Sequence, residues 1–390
     1  MMDFKLSEEQ TAIKNMARSF AEKEIMPVAD EYDRQSFFPR ELIRKMGELG
    51  FFGTLIPEEL GGTNTGFLAM ALVTEEISRA SSSIRGAINM QCVGTAYNIL
   101  KNGTEEQKRK YIPPLVAGEK LGCFAMTEAN SGSDVLSLKS RAVPQGDGFV
   151  LNGAKTWISY APVADVAIIY AYTDPQAKSK GLSAFIVDMK SPGITVRAME
   201  KIGSHSFPTG EISFEDVRLP RESILGKPGD GARILFSSLP DTRVGAAAGA
   251  LGLAQACLEK SIDYCQKREQ FGVSIANFQM NQAVIAEMAT LIEASRLLVY
   301  RSAAQKDEGF RGNVLETSYA KFFSANAVVQ VANLAMEIFG AYGYSVEYPI
   351  GRFLRDAKLY QIVEGTSNIH RMIIGLDQLG LRRANITSTK

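Results

Sequence analysis

Apolar and polar residues follow different periods in three successive parts of the chain. Over the first 118 residues, apolar side chains recur three and four positions apart, as in Ile13, Met16 and Ala17, which is the spacing of an amphipathic helix. Two hydroxyl-x-x-Gln boxes, SEEQ at 7–10 and TEEQ at 104–107, predict helix starts. We therefore predict an N-terminal α-helical domain over residues 1–120.

The spacing of the apolar residues then becomes shorter. Between residues 121 and 230, short β-like runs such as VAIIYAYT and LSAFIVDM are separated by Gly, Pro and Asp turns, which predicts a middle β domain. Long apolar helical patterns follow, and the C-terminal helical bundle is predicted over residues 231–390, with helices at 231–266, 278–308, 313–340 and 368–380. The fold class is α+β.

The C-terminal helices carry more apolar surface than one partner helix can cover, which favours an oligomer. A larger monomeric core is the alternative.

Composition excludes several classes of protein. The 390 residues are 45% hydrophobic, and 43 basic residues balance 43 acidic ones, so no net field attracts nucleic acid or an anionic membrane. No apolar run looks long enough to span a bilayer, and MMDFKLSEEQ is too polar for a signal peptide. We predict a cytoplasmic protein without membrane insertion. The four cysteines form no C-x-x-C pair, so neither a zinc site nor a disulfide framework is indicated.

The chain has two histidines, His205 and His370, and neither stands in a G-x-S-x-G or H-E-x-x-H setting. Hydrolase and metalloenzyme chemistry is therefore disfavoured. No P-loop or Rossmann fingerprint is present either, so a nucleotide cofactor would bind without a Rossmann unit.

The densest polar cluster is CFAMTEANSGSD, residues 123–134, whose amides and hydroxyls suit a polar ligand or phosphate. Trp157, the single tryptophan, lies two residues before Ser159, on the same face of a regular strand, and could wall a planar ring. An ordinary turn and a core tryptophan are the alternatives.

Several ordered motifs resemble the flavin-dependent acyl-CoA dehydrogenase family. They are AMTEANSGSD, NGAKTWIS, ISFEDVRLP, KREQFG and RDAKLYQIVEGTSNIHR, and the similarity runs from residue 4 to residue 384. The resemblance implies a β-barrel or sandwich between a helical domain and a four-helix bundle. It also implies FAD, an acyl-CoA substrate, a homotetramer (a dimer of dimers) and an electron-transfer flavoprotein as electron acceptor.

The same resemblance assigns cofactor contacts. In one subunit they would be Phe124, Met126, Thr127, Ser133, Trp157, Ser159, Thr366 and Asn368. Arg268, Phe271 and Gln279, with Glu337 and Gly340, would reach the FAD of a neighbouring subunit. Glu337 stands where the family has Gln, and GAYGY (340–344) replaces Gly-Gly-x-Gly-Tyr, so this distant contact is expected to differ.

Glu364, in YQIVEGTSNIH, matches the catalytic base that removes the α-proton of the thioester. Its apolar neighbours Ile362 and Val363 are expected to keep the carboxylate poorly solvated. The amide of Gly365 is expected to bind the thioester oxygen. Without the resemblance, a helix-capping role is equally plausible.

Substrate contacts are implied at Arg85, Ser133, Arg243 and Gly365. SSSIRGAIN resembles the glutaryl-CoA dehydrogenase branch, in which an arginine at the place of Arg85 holds the distal carboxylate. The alternative is that Arg85 reaches solvent between helices.

Val363 stands where decarboxylating members carry Tyr, so a non-decarboxylating enzyme that forms glutaconyl-CoA is predicted. Two other hypotheses stay open: a dehydrogenase for another short, branched, cyclic or carrier-protein-bound acyl group, and a non-catalytic flavoprotein scaffold.

Overall fold

The computed structural model describes residues 5–310 and 313–384, with helices at both ends of the chain and strands in the middle. The N-terminal helices are α1 (Glu8–Phe20), α2 (Ala29–Gln35), α3 (Arg40–Glu48), α4 (Gly66–Ala80), α5 (Gly86–Ile88), α6 (Asn98–Asn102) and α7 (Glu105–Val116). The strands are β1 (Gly122–Ala125), β2 (Arg141–Gln145), β3 (Gly148–Ser159), β4 (Val166–Tyr172), β5 (Leu182–Asp188), β6 (Ile194–Ala198), β7 (Thr209–Pro220), β8 (Ile224–Leu225), β9 (Glu269–Gln270) and β10 (Val273–Ser274). The C-terminal helices are α8 (Gly231–Lys267), α9 (Gln279–Asp307), α10 (Val314–Phe339), α11 (Ile350–Tyr360) and α12 (Ser367–Gln378).

Both predicted capping boxes are confirmed. The Ser7 hydroxyl accepts from the Gln10 amide at 3.1 Å while the Gln10 side chain accepts from the Ser7 amide at 2.9 Å. Thr104 and Gln107 form the same reciprocal pair at 3.2 and 3.0 Å. These bonds satisfy amides that a helix start leaves without partners, so the sequence determines where α1 and α7 begin.

The middle domain is a mixed sheet in the order β6-β7-β3-β2-β4-β5-β8, with β1 paired in parallel to β4. Strand β4 is buried along its whole length, and so is β5 apart from its last residue. The expected order of a helical, a β and a second helical domain is confirmed.

Helix α8 is the central element of the C-terminal part and packs against α4, α9 and α10. Its middle is rich in buried Ala and Gly, which lets neighbouring backbones come close. The four predicted long helices agree with α8, α9, α10 and α12 to within two residues at each end. Helix α11 was not predicted, although it carries the chain to Glu364.

By length and composition alone, the helical stretch Val314–Tyr344 could cross a membrane, which corrects the prediction that no apolar run is long enough. Half of its most apolar window is buried in the fold. The core helix of a soluble protein passes the same test, so this is weak evidence for a membrane span.

Candidate active site

Glu364 lies in a tight turn between α11 and α12. Its φ is 56° and that of Gly365 is 86°, so two consecutive residues adopt the left-handed region. This conformation is unfavourable for a glutamate and persists only where surrounding contacts hold it. Helix α12 begins directly afterwards, with Thr366 as its N-cap. Glu364 is therefore not a helix cap.

Side chains from two other helices and from α12 hold the backbone of this turn. The Glu364 carbonyl oxygen accepts from Arg243 Nε at 3.4 Å and lies 3.2 Å from His370 Nε2. The Gly365 carbonyl oxygen accepts from Lys321 Nζ at 2.6 Å. These donors account for the strained backbone, because they fix both peptide planes.

The Glu364 side chain is oriented separately. The Thr242 hydroxyl donates to Glu364 Oε2 at 2.6 Å, and the other carboxylate oxygen has no hydrogen bond to a described residue. The amides of Glu364 and Gly365 likewise donate to none of the described residues. A half-buried glutamate with one free carboxylate oxygen and two amides without partners among the described residues thus share one turn of chain.

Burial and charge around Glu364 set the protonation of its neighbours. Burial lowers the pKa of Arg243 to about 10, and Glu364 partly offsets this. The pKa of Lys321 falls to about 7 because of burial, which outweighs the attraction of Glu364. Burial, Arg243 and Lys321 lower the pKa of His370 to about 3, so its ring is neutral near neutral pH and Nε2–H donates to the Glu364 carbonyl.

Arg85 is 4% exposed, so the alternative in which it reaches solvent is wrong. Its Nε donates to the Tyr360 hydroxyl at 3.1 Å, and its guanidinium lies over the Tyr360 ring at 5.0 Å. Within residues 5–310 and 313–384, no acidic group pairs with it. Because Tyr360 ends the helix that leads to Glu364, Arg85 is tied to the same segment as Glu364.

One face of α8 links Arg85 to Glu364. Thr242 contacts Glu364, and its carbonyl accepts from Asn89 Nδ2 at 3.1 Å. A Cβ on Gly249 would lie 2.5 Å from Arg85 Nε, so the guanidinium rests directly against the helix backbone. Positions 242 and 249 lie on the same side of α8, about 10 Å apart at 1.5 Å per residue.

The segments predicted to contact the flavin, around residues 124–133 and 157–159, expose an aromatic ring and several hydroxyls. Trp157 is 58% exposed with φ 58°, because a bulge between Lys155 and Ile158 interrupts the regular alternation of β3. The prediction that Trp157 and Ser159 share a face assumed an uninterrupted strand. The hydroxyls of Thr127, Ser133 and Ser159 have no hydrogen-bond partner among the described residues. An exposed flat ring beside free hydroxyls fits a planar, polar cofactor.

The remaining members of this loop region, Phe124 and Met126, are half-buried. Phe124 packs edge-on against Tyr170, with ring centroids 5.3 Å apart. In the first turn of α12, Asn368 is exposed and accepts from Arg371 at 2.7 Å.

A buried ion pair supports the loop. Lys155 Nζ donates to Glu128 Oε1 at 2.8 Å and to the Met126 carbonyl at 3.2 Å. The Glu128 carboxylate also accepts from the amides of Lys139 and Ser140 at 2.6 and 3.0 Å. Burial lowers the pKa of Lys155 to about 8, and Glu128 opposes this. The pair fixes the path of the chain from β1 to β2.

Replacement of Lys155 by Met is expected to lower both stability and FAD content. It leaves the Glu128 carboxylate buried without its cation, which costs about 3 kcal/mol in comparable sites. Thermal unfolding and the flavin-to-protein absorbance ratio measure the two effects. Lys190→Met is the control, because Lys190 is exposed and lies 3.9 Å from Asp165 in the same domain. Equal FAD content in both variants would contradict the assigned role.

The residues predicted to serve a neighbouring subunit lie at the surface. Phe271 is 96% exposed at the tip of the β9–β10 hairpin, and Gln279, Glu337 and Gly340 are exposed as well. The Arg268 guanidinium lies over the Tyr342 ring at 5.4 Å and forms no ion pair with a described residue. No hydrogen bond, ion pair or ring contact within the described part of the chain joins this group to Glu364 or Trp157.

Sequence reasoning missed Thr242, Lys321 and His370. Thr242 and Lys321 are distant from Glu364 in sequence, and Lys321 is one charge inside the apolar stretch SYAKFFSANAVV. His370 is close in sequence but was considered only for metal and hydrolase chemistry. A lone lysine on a buried helix face was the available signal, because such a charge is rarely buried without a partner.

Comparison with known proteins covers almost the whole chain. Family models for the N-terminal, middle and C-terminal domains of acyl-CoA dehydrogenases match residues 7–119, 123–217 and 229–378. The chain is 54% identical over 388 residues to glutaryl-CoA dehydrogenase from Desulfococcus multivorans, covering 98% of this chain and 100% of that protein.

Two solved structures are similar throughout. A glutaryl-coenzyme A dehydrogenase in complex with glutaryl-CoA has a TM-score of 0.97 at 54% identity, covering 98% of each chain. A chain from a study of the electron transferring flavoprotein of Acidaminococcus fermentans has a TM-score of 0.95 at 40% identity, covering 97% of this chain and 100% of that one.

Proposed function

The chain belongs to the acyl-CoA dehydrogenase family, and we propose that its substrate is glutaryl-CoA, which it oxidises to glutaconyl-CoA. It is an oxidoreductase, and the proteins of this family are FAD flavoproteins. The observation that carries the substrate proposal is Arg85, a buried guanidinium without an acidic partner among the described residues. Such a charge is stabilised by an anionic group on the substrate.

The spacing along α8 of the residues that contact Glu364 and Arg85, Thr242 and Gly249, fits a five-carbon dicarboxylic chain. Their contact points on α8 lie about 10 Å apart. An extended glutaryl group spans about 5 Å from its α-carbon to its carboxylate oxygens, and a contact of about 3 Å at each end fills the remainder. The chain can therefore meet Glu364 at one end and Arg85 at the other.

In the proposed reaction, Glu364 removes the proton on the α-carbon of the thioester. Thr242 holds one carboxylate oxygen, which leaves the other free to accept this proton. The unpaired amides of Glu364 and Gly365 are suited to bind the thioester oxygen, where negative charge develops. Arg243 fixes the carbonyl of the same turn and adds positive charge beside it.

Bound FAD supplies the acceptor for the hydride that leaves the β-carbon. Trp157 and the hydroxyls of Thr127, Ser133 and Ser159 would hold it, with Phe124, Met126, Thr366 and Asn368 around them. With the cofactor bound there, Glu364 would take the proton and the cofactor would take the hydride, so the two would leave the substrate to different groups.

We expect glutaconyl-CoA to be released with its carboxylate intact. Val363 is half-buried next to the base and offers no hydroxyl to protonate or stabilise a decarboxylated intermediate. Mass spectrometry of the thioester product and quantification of CO2 measure this directly. Stoichiometric CO2 and crotonyl-CoA would contradict it.

A pair of variants separates the hydroxyl from the bulk of the side chain at this position. Val363→Tyr is expected to release CO2 in a measurable fraction of turnovers, whereas Val363→Phe is not. Equal CO2 release from both would mean that the hydroxyl is not the determinant.

An oligomer and an electron-transfer flavoprotein complete the proposal. Apolar side chains of the C-terminal part are exposed in this single chain, among them Phe271, Met280, Tyr344, Val346, Leu379 and Leu381. A homotetramer would cover such surface and let Arg268, Phe271 and Gln279, with Glu337 and Gly340 nearby, reach the FAD of a neighbouring subunit. The structural relative from the flavoprotein study supports an electron-transfer flavoprotein as acceptor.

Anaerobic titration of the FAD-loaded protein with glutaryl-CoA, butyryl-CoA and isovaleryl-CoA tests the substrate. Flavin bleaching by glutaryl-CoA, with glutaconyl-CoA as product, is the expected result. Bleaching by the uncharged thioesters alone would make the enzyme a short-chain or branched-chain dehydrogenase. Bleaching only by a carrier-protein thioester would indicate the carrier-bound alternative, and no bleaching by any thioester would favour a scaffold.

A further inference from the structure

We propose that Tyr360 is the positioning residue that makes Arg85 selective for a terminal carboxylate, because it holds the guanidinium from behind through Nε. The inference rests on the proposed function, since it concerns the acyl end of the same site. It adds a residue that sequence reasoning did not single out: Tyr360 is fully buried at the end of α11.

The direction of the hydrogen bond between Arg85 and Tyr360 follows from the chemistry of the two groups. An arginine side chain can only donate, so the Tyr360 oxygen accepts from Arg85 Nε at 3.1 Å. The Tyr360 hydroxyl also shares a hydrogen bond with Ser82 Oγ, 2.8 Å away. Ser78 is 3.4 Å from the same hydroxyl but donates to the Gly249 carbonyl at 2.6 Å. The Tyr360 hydroxyl is therefore held between Arg85 Nε and Ser82 Oγ.

The plane of the guanidinium is fixed as well. It lies over the Tyr360 ring at 5.0 Å, and a Cβ on Gly249 would be 2.5 Å from Nε and 2.7 Å from Cζ. A ring and a helix backbone thus confine Arg85, which otherwise has many rotamers. Less conformational freedom is then lost when a ligand binds.

The outer edge of the Arg85 guanidinium remains available to bind a ligand. Nε is occupied by Tyr360, and the two terminal nitrogens of Arg85 have no hydrogen-bond partner among the described residues. Two parallel N–H groups match the two oxygens of a carboxylate. Tyr360 thereby excludes side-on binding through Nε and leaves the end-on, bidentate mode.

A tyrosine is suited to this role because it is neutral. An aspartate or glutamate in contact with Arg85 would orient it equally well but would neutralise its charge and compete with the substrate carboxylate. The Tyr360 hydroxyl orients the guanidinium and leaves its positive charge for the ligand.

The test is Tyr360→Phe, which keeps the ring and removes the hydroxyl. We expect the KM for glutaryl-CoA to rise about tenfold, as for loss of one hydrogen bond to a charged group, with kcat changed less than threefold. The KM for butyryl-CoA should stay within twofold of the wild-type value, because that chain has no carboxylate. Equal changes for both substrates, or none for either, would overturn the proposal.

Additional variants separate positioning from a general structural effect. Tyr172→Phe removes another buried tyrosine hydroxyl, one that donates to the Leu136 carbonyl at 2.8 Å, and should change neither KM. In an Arg85→Met background, Tyr360→Phe should have no further effect on glutaryl-CoA, because the group that it positions is gone. A further tenfold loss in that background would overturn the proposal.

If Tyr360→Phe does not fold, Ser82→Ala provides the second test, since it removes the hydroxyl that shares a hydrogen bond with Tyr360. A smaller rise in KM for glutaryl-CoA alone is expected, and an unchanged KM would count against the hydrogen-bonded chain. Failure of the proposed function is distinguishable, because the wild-type enzyme would then not be bleached by glutaryl-CoA at all.

Discussion

Replacement of Glu364 by Gln is expected to slow flavin bleaching by glutaryl-CoA about 10²- to 10⁴-fold, the typical contribution of a general base. The amide is nearly isosteric and still accepts a hydrogen bond from Thr242, while Arg243, His370 and Lys321 contact backbone carbonyls that the substitution does not alter. The geometry of the turn should therefore persist while the ability to take a proton is lost.

The measurement is anaerobic stopped-flow reduction of the flavin, combined with a binding titration. Binding of the thioester should persist, seen as a change in the flavin spectrum without bleaching. Glu347→Gln is the matched control, because Glu347 is an exposed carboxylate in the same domain and its side chain has no ion pair among the described residues. Bleaching of Glu364→Gln at the wild-type rate would exclude Glu364 as the base.

Replacement of Arg85 by Met should lower kcat/KM for glutaryl-CoA by about 10² to 10³. Removal of one partner of a buried, hydrogen-bonded charge pair costs 2–5 kcal/mol, and about 1.4 kcal/mol corresponds to a factor of ten. The substrate carboxylate would face an apolar wall. Butyryl-CoA has no such group, so its kcat/KM should stay the same or rise.

Two further variants sharpen this result. Arg85→Lys keeps the charge but not the planar fork and should retain an intermediate part of the preference for glutaryl-CoA. Arg109→Met removes an exposed arginine on α7 and should change neither substrate. An equal loss for glutaryl-CoA and butyryl-CoA in Arg85→Met would assign Arg85 to the structure of the helices rather than to the acyl chain.

The order of domains could be predicted because it depends on local patterns. The capping boxes at Ser7 and Thr104 and the apolar periods of the long helices are determined by residues within a few positions of each other. The roles of Glu364 and Arg85 were predicted from the resemblance of their motifs to the family, but the residues that contact them were not predicted. The hydrogen bond from Thr242 to Glu364 joins residues 122 positions apart, and that from Arg85 to Tyr360 joins residues 275 positions apart.

Other features escaped for different physical reasons. The bulge at Trp157 arises from the register between β3 and β7, which a single strand does not encode. Ile362 was expected to shield Glu364 but is 57% exposed, and the groups around Glu364 are instead Thr242 and the buried side chains of Arg243 and Lys321. Apolar neighbours in sequence were a poor guide here because the turn directs successive side chains to different sides.

The single face of α8 that contacts both ends of the site implies a limit on how such an enzyme can diverge. Moving the contact of the arginine by one turn of α8 displaces it about 5 Å, whereas one methylene lengthens an acyl chain by about 1.3 Å. A shift of one turn would therefore skip several chain lengths at once. New specificities for dicarboxylic chains should therefore arise in coarse steps, when the arginine contacts a different turn of α8. Finer adjustment would come from replacing Arg by a shorter hydrogen-bond donor.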